Sequence, residues 1–261
     1  MSDIFTMGID IGSTASKCII LKNGKDIIAK SKIDVGAGTS GPERAISAVL
    51  NDSGLELKDM SFIMATGYGR DTLQKVAHAE MSELSCHAYG AYFQFQSVRT
   101  IIDIGGQDAK VLRLDDNGML VNFVMNDKCA AGTGRFLDVM ARVLEVKVED
   151  LEYLSARSKK EITISSTCTV FAESEVISQL ASNADKCDII KGIHRSIASR
   201  VGALVRRIGL KEDVVITGGV AQNGGVLLAL ENELNCKIYT FELAQYNGAF
   251  GAALFAYKKV A

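Results

Sequence analysis

Two cysteines stand in closely similar surroundings. The stretch "MNDKCAAGTGRFLDVM" sets Cys129 before a glycine-rich turn and an amphipathic helix, and 39 residues later "SSTCTVFAESEVISQL" sets Cys168 where another helix begins. Neither belongs to a Cys-x-x-Cys pair, so a metal held by these sulfurs receives two ligands from one chain where most thiolate sites need four. Three readings of the pair stay open: half of an iron-sulfur site, half of a zinc site, or core thiols or helix-start residues with no ligand. Cys18 aligns with the apolar Val111 of an internal repeat and reads as core. Cys86 falls in a helical pattern, and Cys187 and Cys236 lie near element ends without a partner at metal spacing. His78, His87 and His194 are isolated from one another and read as surface or core residues.

The second chemical feature is the repeat itself. "IDIGSTASKCIILKNG" from Ile9 and "IDIGGQDAKVLRLDDNG" from Ile102 share Ile-Asp-Ile-Gly and a lysine seven residues after the aspartate, at an offset of 93 residues. Each copy reads as a strand, a tight polar turn and a second strand. Gly12, Ser13, Thr14 and Ala15 in the first turn, and Gly105, Gly106 and Gln107 in the second, offer backbone N–H groups that a phosphate can approach closely. Glycines also serve hairpins for purely conformational reasons, so one copy alone is weak evidence. Two copies, each with an aspartate ending a buried strand, point to a magnesium nucleotide, because buried carboxylates need a counter-charge. Asp10 and Asp103 are therefore expected at magnesium, with Gln107 or Asp108 orienting the attacking water and Lys17 reaching phosphate. Asp108 fits equally well as a carboxylate that stabilises the turn. A third turn, "VVITGGVAQN", supplies Gly218, Gly219, Val220 and Asn223 for adenosine, and Gly132 and Gly134 of "CAAGTG" join the nucleotide-binding set.

The elements that must position these residues follow from periodicity. Helices are expected at Glu43 to Leu50, Asp71 to Val76, Glu80 to Phe95, Arg135 to Leu144, Phe171 to Ala181, Ile189 to Ile208, Gly225 to Leu234 and Ala249 to Tyr257. Besides the hairpins, short strands are expected at Phe62 to Ala65, Glu161 to Ser165, Val214 to Thr217 and Lys237 to Tyr239. Strands mixed with helices, with a duplicated hairpin opening each half, suggest an α/β protein of two similar lobes around a cleft. The expected division is 1–98 and 99–261, with the final helix packing back on the first lobe.

Composition narrows the function classes. A formal net charge of -2 over 261 residues, with 23% charged residues, gives no electrostatic reason to bind nucleic acid. No run of about 18 apolar residues and no leader-like N-terminus appear, so no membrane association and a cytoplasmic location are expected. Six cysteines in that compartment read as thiols or ligands rather than disulfides.

The segments "GIDIGSTASKC", "ATGYGR", "SELSCHA", "IDIGGQD", "NDKCAAGTGRFLDVMA", "SSTCTVFAESEVISQL", "GIHRS", "TGGVAQN" and "GAFGAAL" resemble those of the activator components of 2-hydroxyacyl-CoA dehydratases. That family lies within the acetate and sugar kinase, Hsp70 and actin superfamily, and the resemblance runs from about Met7 to Tyr257. It implies two actin-like (ribonuclease H-like) lobes binding ATP or ADP with Mg2+. It further implies a homodimer sharing one [4Fe-4S] cluster through Cys129 and Cys168 of each subunit. The implied activity is ATP-dependent transfer of one electron from reduced ferredoxin or flavodoxin to a 2-hydroxyacyl-CoA dehydratase, activating it for radical dehydration. Competing readings are an activating subunit for an aromatic-CoA reductase or for corrinoid reactivation, a small-molecule kinase, and a non-catalytic nucleotide switch.

Overall fold

A computed structural model of the chain describes residues 3–165 and 168–261, so Ser166 and Thr167 of the second cysteine motif lie outside the described residues. The chain divides into two compact units. The first comprises Met1–Ser97, Leu114–Leu120 and Phe241–Ala261, and the second Val98–Arg113 and Val121–Thr240.

In the first unit β1 (Phe5–Ile11), β2 (Ser16–Lys22) and β3 (Asp26–Ile33) form an antiparallel meander, followed by α1 (Gly41–Ser53), β4 (Phe62–Thr66), β5 (Ala79–Glu80) and α2 (Glu83–Gln94). The sheet order is β3-β2-β1-β4-β5, with β4 parallel to both β1 and β5. The central strand is apolar on alternate positions because one face is sealed completely: Met7, Ile9 and Ile11 are fully buried with Ile20, Ala45 and Val49. Each such side chain contributes about 1.5 to 3 kcal/mol of burial.

The second unit opens with β6 (Thr100–Ile104), β7 (Ala109–Leu114) and β8 (Leu120–Asn126), continues through α3 (Gly134–Val143), α4 (Leu151–Ser155), α5 (Thr169–Ala181) and α6 (Lys186–Ile208), and ends with β9 (Val214–Thr217), α7 (Gly224–Leu234) and β10 (Ile238–Tyr239). Its order, β10-β9-β6-β7-β8, repeats that of the first unit with β6 in the place of β1. The repeated sequence is thus a repeated topology. The chief difference is the segment between third and fourth strands, which holds α1 alone in the first unit and α3 to α6 in the second. Both motif cysteines lie in that enlarged segment. The last helix, α8 (Asn247–Tyr257), belongs to the first unit and is buried along almost its whole length, with Ala249, Phe250, Ala253 and Leu254 against Ile19 and Leu21 of β2.

Three expected elements differ: the helix expected from Glu80 begins only at Glu83, Glu80 itself lying in the edge strand β5. Glu161 to Ser165 makes no strand: the segment has no strand beside it and docks on α6, where Ser196 Oγ donates to Ser165 O at 3.2 Å. Asp71 to Val76 contains only a 3-10 turn, Arg70–Leu73, since so short a stretch cannot offset the cost of nucleating an α-helix. The edge strands β3 and β8 carry no sequence expectation at all. Their exposed faces are polar or mixed and mask the alternation.

One buried side chain of α6 carries a pH prediction. His194 is 1% exposed, stands against Gly225 and Ser155, and neither ring nitrogen has a hydrogen-bond partner among the described residues. Burial disfavours the imidazolium and pushes its pKa from 6.5 down to about 4. Between those values the unfolded chain binds a proton that the folded chain does not, so stability falls as pH drops from 6.5 towards 4. The expected contribution is about 3 kcal/mol. Urea unfolding of wild type and His194→Gln at pH 7 and pH 4 measures it. The difference between the two proteins should change by that amount across the window, and an unchanged difference refutes the assignment.

Candidate functional site

The two hairpin turns are built alike. Asp10 pairs across β1–β2 with Lys17, and Asp103 pairs across β6–β7 with Lys110. Gly12 N–H donates to Ala15 O at 2.9 Å, and Gly105 N–H donates to Asp108 O at the same distance. Ser13, Thr14 and Ala15 are half-buried in the first turn, while Gln107 is exposed at the tip of the second. The aspartates are nearly inaccessible, at 4% and 2% exposure, and each has its own lysine: Lys17 Nζ stands 3.6 Å from Asp10 Oδ2 and Lys110 Nζ 3.7 Å from Asp103 Oδ2. Lys17 thus supplies counter-charge to Asp10, whereas Lys110 is shared between Asp103 and Asp108.

Sequence reasoning missed the groups that hold the aspartates from the side. Thr217 Oγ1 donates to Asp103 Oδ1 at 2.7 Å, and Lys110 Nζ also pairs with Asp108 Oδ2 at 2.6 Å. Thr217 immediately precedes the third glycine turn, so "TGG" was the available signal. At the corresponding register position of the first unit, Thr66 lies beside Asp10 and is likewise followed by a glycine with φ of +88°, Gly67.

Gly218 enters the third turn at φ +88° and ψ 179°, a conformation open essentially to glycine alone. Gly219 and Val220 lie in the 3-10 turn Gly219–Gln222, with Val220 buried. Asn223 caps α7, its Oδ1 accepting from Val226 N–H at 3.0 Å. Gly132 takes φ of +90° against the side chain of Arg200. Gly134 sits directly on the β6–β7 turn: its N–H donates to Gly105 O at 2.9 Å, and Arg135 N–H donates to Gly106 O at 2.8 Å.

That last contact sets Cys129 apart from the helix that follows it. The first donors of α3 go to the glycine turn and are not directed at the sulfur. Cys129 lies instead in the loop before the helix, where its carbonyl accepts from Asn126 Nδ2 at 2.8 Å. Cys168 does occupy the N-cap of α5, with no side-chain cap hydrogen bond, so the positive end of that helix lies at the thiol. Both cysteines are half-exposed, unlike Cys18 and Cys86, which are fully buried and whose thiols burial pushes up to about 12. Among the described residues no three His, Cys, Asp or Glu side chains converge as a metal site, so a thiolate site here would be completed from outside the chain. Two accessible thiols, one at a helix N-terminus, fit half of a four-thiolate set around an anionic cluster. Next to Cys168, α5 presents Val170, Phe171 and Ile177, all more than half exposed. No helix of the described residues is long and apolar enough to cross a membrane.

Comparison with known proteins sets these features in a lineage. The (R)-2-hydroxyglutaryl-CoA dehydratase activating ATPase of Acidaminococcus fermentans is 65% identical over 258 residues, covering 99% of each chain. The crystal structure of component A of that organism's (R)-2-hydroxyglutaryl-CoA dehydratase superposes with a TM-score of 0.95 at 65% identity, covering 98% of both chains. The activator of the 2-hydroxyisocaproyl-CoA dehydratase from Clostridium difficile, solved with bound ADPNP, gives the same TM-score at 55% identity, covering 98% of this chain and 95% of its own. The fold is therefore that of the actin-like ATPases. The model of the BadF/BadG/BcrA/BcrD ATPase family matches residues 7–256, and the chain belongs to that family.

Proposed function

We propose that the chain is an ATP-driven one-electron donor that activates a 2-hydroxyacyl-CoA dehydratase, with 2-hydroxyglutaryl-CoA the favoured substrate class of the partner. The observation that carries this reading is the pair of half-exposed thiols in the segment by which the second unit exceeds the first. A plain nucleotide switch or small-molecule kinase has no use for them, and the relatives named as dehydratase activators support the assignment.

Two copies of the chain would hold one [4Fe-4S] cluster through Cys129 and Cys168 of each, the exposed apolar residues of α5 lying where the subunits meet. When bound, that cluster supplies a one-electron couple, received from reduced ferredoxin or flavodoxin. The backbone turns at Gly12 to Ala15 and Gly105 to Gln107 receive phosphate, and Gly218 to Asn223 receive adenosine. Asp10 and Asp103 orient the hydration shell of the nucleotide's Mg2+. Asp108 is engaged by Lys110, so Gln107, exposed at the turn, is the better placed of the two to orient the attacking water.

Energetics favour hydrolysis over binding as the driving event. Plant-type ferredoxins sit near about -400 mV, and acyl-CoA reduction lies well below that. A typical allosteric coupling of about 1 to 3 kcal/mol moves a one-electron couple by only about 40 to 130 mV. The test is anaerobic electron transfer from reduced flavodoxin to the dehydratase, followed spectroscopically. Transfer is expected with ATP and absent with ADPNP. Equal transfer with both nucleotides would overturn the hydrolysis-driven reading.

A further inference from the structure

The motif "GIHRS", Gly192 to Ser196 in the middle of α6, takes no part in the function described so far. His194, at its centre, stands against Gly225 of α7. The two ends of the motif meet a different segment, the run of chain that leads into Cys168. A Cβ on Gly192 would stand 2.6 Å from Ile162 O, so this run lies directly on the helix backbone, and Ser196 Oγ donates to Ser165 O at 3.2 Å. One turn further along, the Arg200 side chain lies against Gly132. Positions 192, 196 and 200 are spaced by four and share one side of the helix. That stripe touches the approach to Cys168 at its first two positions and the loop after Cys129 at its third. Ser165 and Gly132 each lie three residues from their cysteine.

Ser165 is held from a second helix as well. Its N–H donates to Glu175 Oε2 of α5, the helix whose N-cap is Cys168. The main chain of one residue thus joins α5 through its N–H and α6 through its carbonyl. Three residues of chain span at most about 11 Å, so an anchored Ser165 confines Cys168 whatever path Ser166 and Thr167 take.

Two thiols that serve one cluster gain from being held at a fixed separation beforehand, because a mobile ligand loses conformational entropy on binding. We propose that Ser196 and Glu175 are positioning residues for Cys168: through Ser165 they lock the end of α5 that carries this thiol to α6, the helix on which the Cys129 loop also rests, and so set the separation of the two thiols within one chain. The proposal rests on the reading of both cysteines as ligands of one shared cluster. It adds the groups that fix their geometry, neither of which is itself a ligand.

Three variants and a matched control test it. Ser196→Ala removes the donor to Ser165 O, Glu175→Ala removes the acceptor of Ser165 N–H, and Glu175→Gln keeps a carbonyl oxygen at the same reach. Ser31→Ala is the control, since this buried hydroxyl also donates to a main-chain carbonyl, that of Ala45 at 2.6 Å, but in the other unit. Anaerobically reconstituted proteins are compared by iron per chain, urea midpoint and rate of iron release to bathophenanthroline, and the iron-free chains by amide hydrogen exchange. Ser196→Ala and Glu175→Ala are expected to release iron about 2- to 10-fold faster than wild type, the range set by one lost hydrogen bond. Exchange over residues 161–165 should quicken in both, while exchange over 130–134 holds. Glu175→Gln and Ser31→Ala should release iron at the wild-type rate. Wild-type release from both alanine variants overturns the proposal and leaves the separation to the packing of α3 on α5. Equal acceleration in Ser31→Ala also overturns it, because the effect would then be one of general stability, and so does equal acceleration in Glu175→Gln and Glu175→Ala. A wild-type chain that takes up no iron overturns the ligand reading itself, before any variant is compared.

Discussion

Cys129→Ser and Cys168→Ser, made singly, are expected to yield anaerobically purified protein without iron that still binds ADP. A cluster held by two thiolates from each of two subunits loses half its ligands at once when one cysteine type is replaced, because the substitution appears in both copies. Serine is a hard oxygen donor of high pKa and does not substitute for a thiolate around iron. Nucleotide binding survives because the phosphate turns keep their own hydrogen bonds, Gly12 to Ala15 and Gly105 to Asp108, neither of which involves a cysteine. Iron and sulfide per chain and calorimetric ADP affinity are the measurements. Cys86→Ser and Cys236→Ser should retain full iron, since Cys86 is fully buried and Cys236 lies outside the enlarged segment. A full iron complement in either Cys129→Ser or Cys168→Ser refutes the ligand assignment.

The structure also offers a physical route between nucleotide and cysteines. Gly134 and Arg135 donate to the carbonyls of Gly105 and Gly106, so the turn assigned to phosphate holds the start of α3 directly, five residues after Cys129. A change of backbone at the turn on exchanging one nucleotide for another must move these two hydrogen bonds or the loop behind them. The coupling thus rests on main-chain contacts within one unit. The sequence points to closeness of "CAAGTG" and the glycine turn but says nothing of which groups bond.

What was legible and what was not divide along physical lines. The repeated Asp-x-Gly hairpins were legible because local spacing alone specifies a strand, a turn and a strand, whereas the register that sets Asp10 opposite Lys17 and Asp103 opposite Lys110 was not read from it. Long helices such as α6 announced themselves through sustained periodicity. β3 and β8 did not, because an edge strand with one exposed face need not alternate cleanly. The surroundings of Asp10 were the least legible feature: Gly67, His87 and Gly248 are separated by 20 and 161 residues, and only the packing of α2 and α8 on the first sheet joins them. Likewise Thr217 has a Thr66 counterpart in register, yet their hydroxyls turn to different acceptors. No local pattern distinguishes them.

Gly218→Ala is expected to be the most damaging single-methyl change in the nucleotide region. Its backbone, φ +88° and ψ 179°, lies where a side chain costs about 1 to 3 kcal/mol in strain alone. The added Cβ would also collide with the Ile104 carbonyl of β6, the strand that carries Asp103. Relief requires β9 to move from β6, which breaks the hydrogen bond from Thr217 to Asp103 and shifts the turn behind it. The combined loss is expected to exceed about 3 kcal/mol, a large share of the roughly 5 to 15 kcal/mol that separates a folded domain from its unfolded chain. Gly54 supplies the control: as the C-cap of α1 it too has a positive φ, +69°, but a Cβ there meets nothing within 4 Å. Gly54→Ala should therefore cost only the left-handed strain, about 1 kcal/mol. Urea midpoints of the two variants separate strain from collision, and ADP calorimetry on the folded fraction reads the site. Gly218→Ala should lose ADP affinity while Gly54→Ala keeps it. Equal midpoints for the two variants would mean that β6 and β9 yield to the methyl group without cost, and the rigid placement of Asp103 by Thr217 would have to be abandoned.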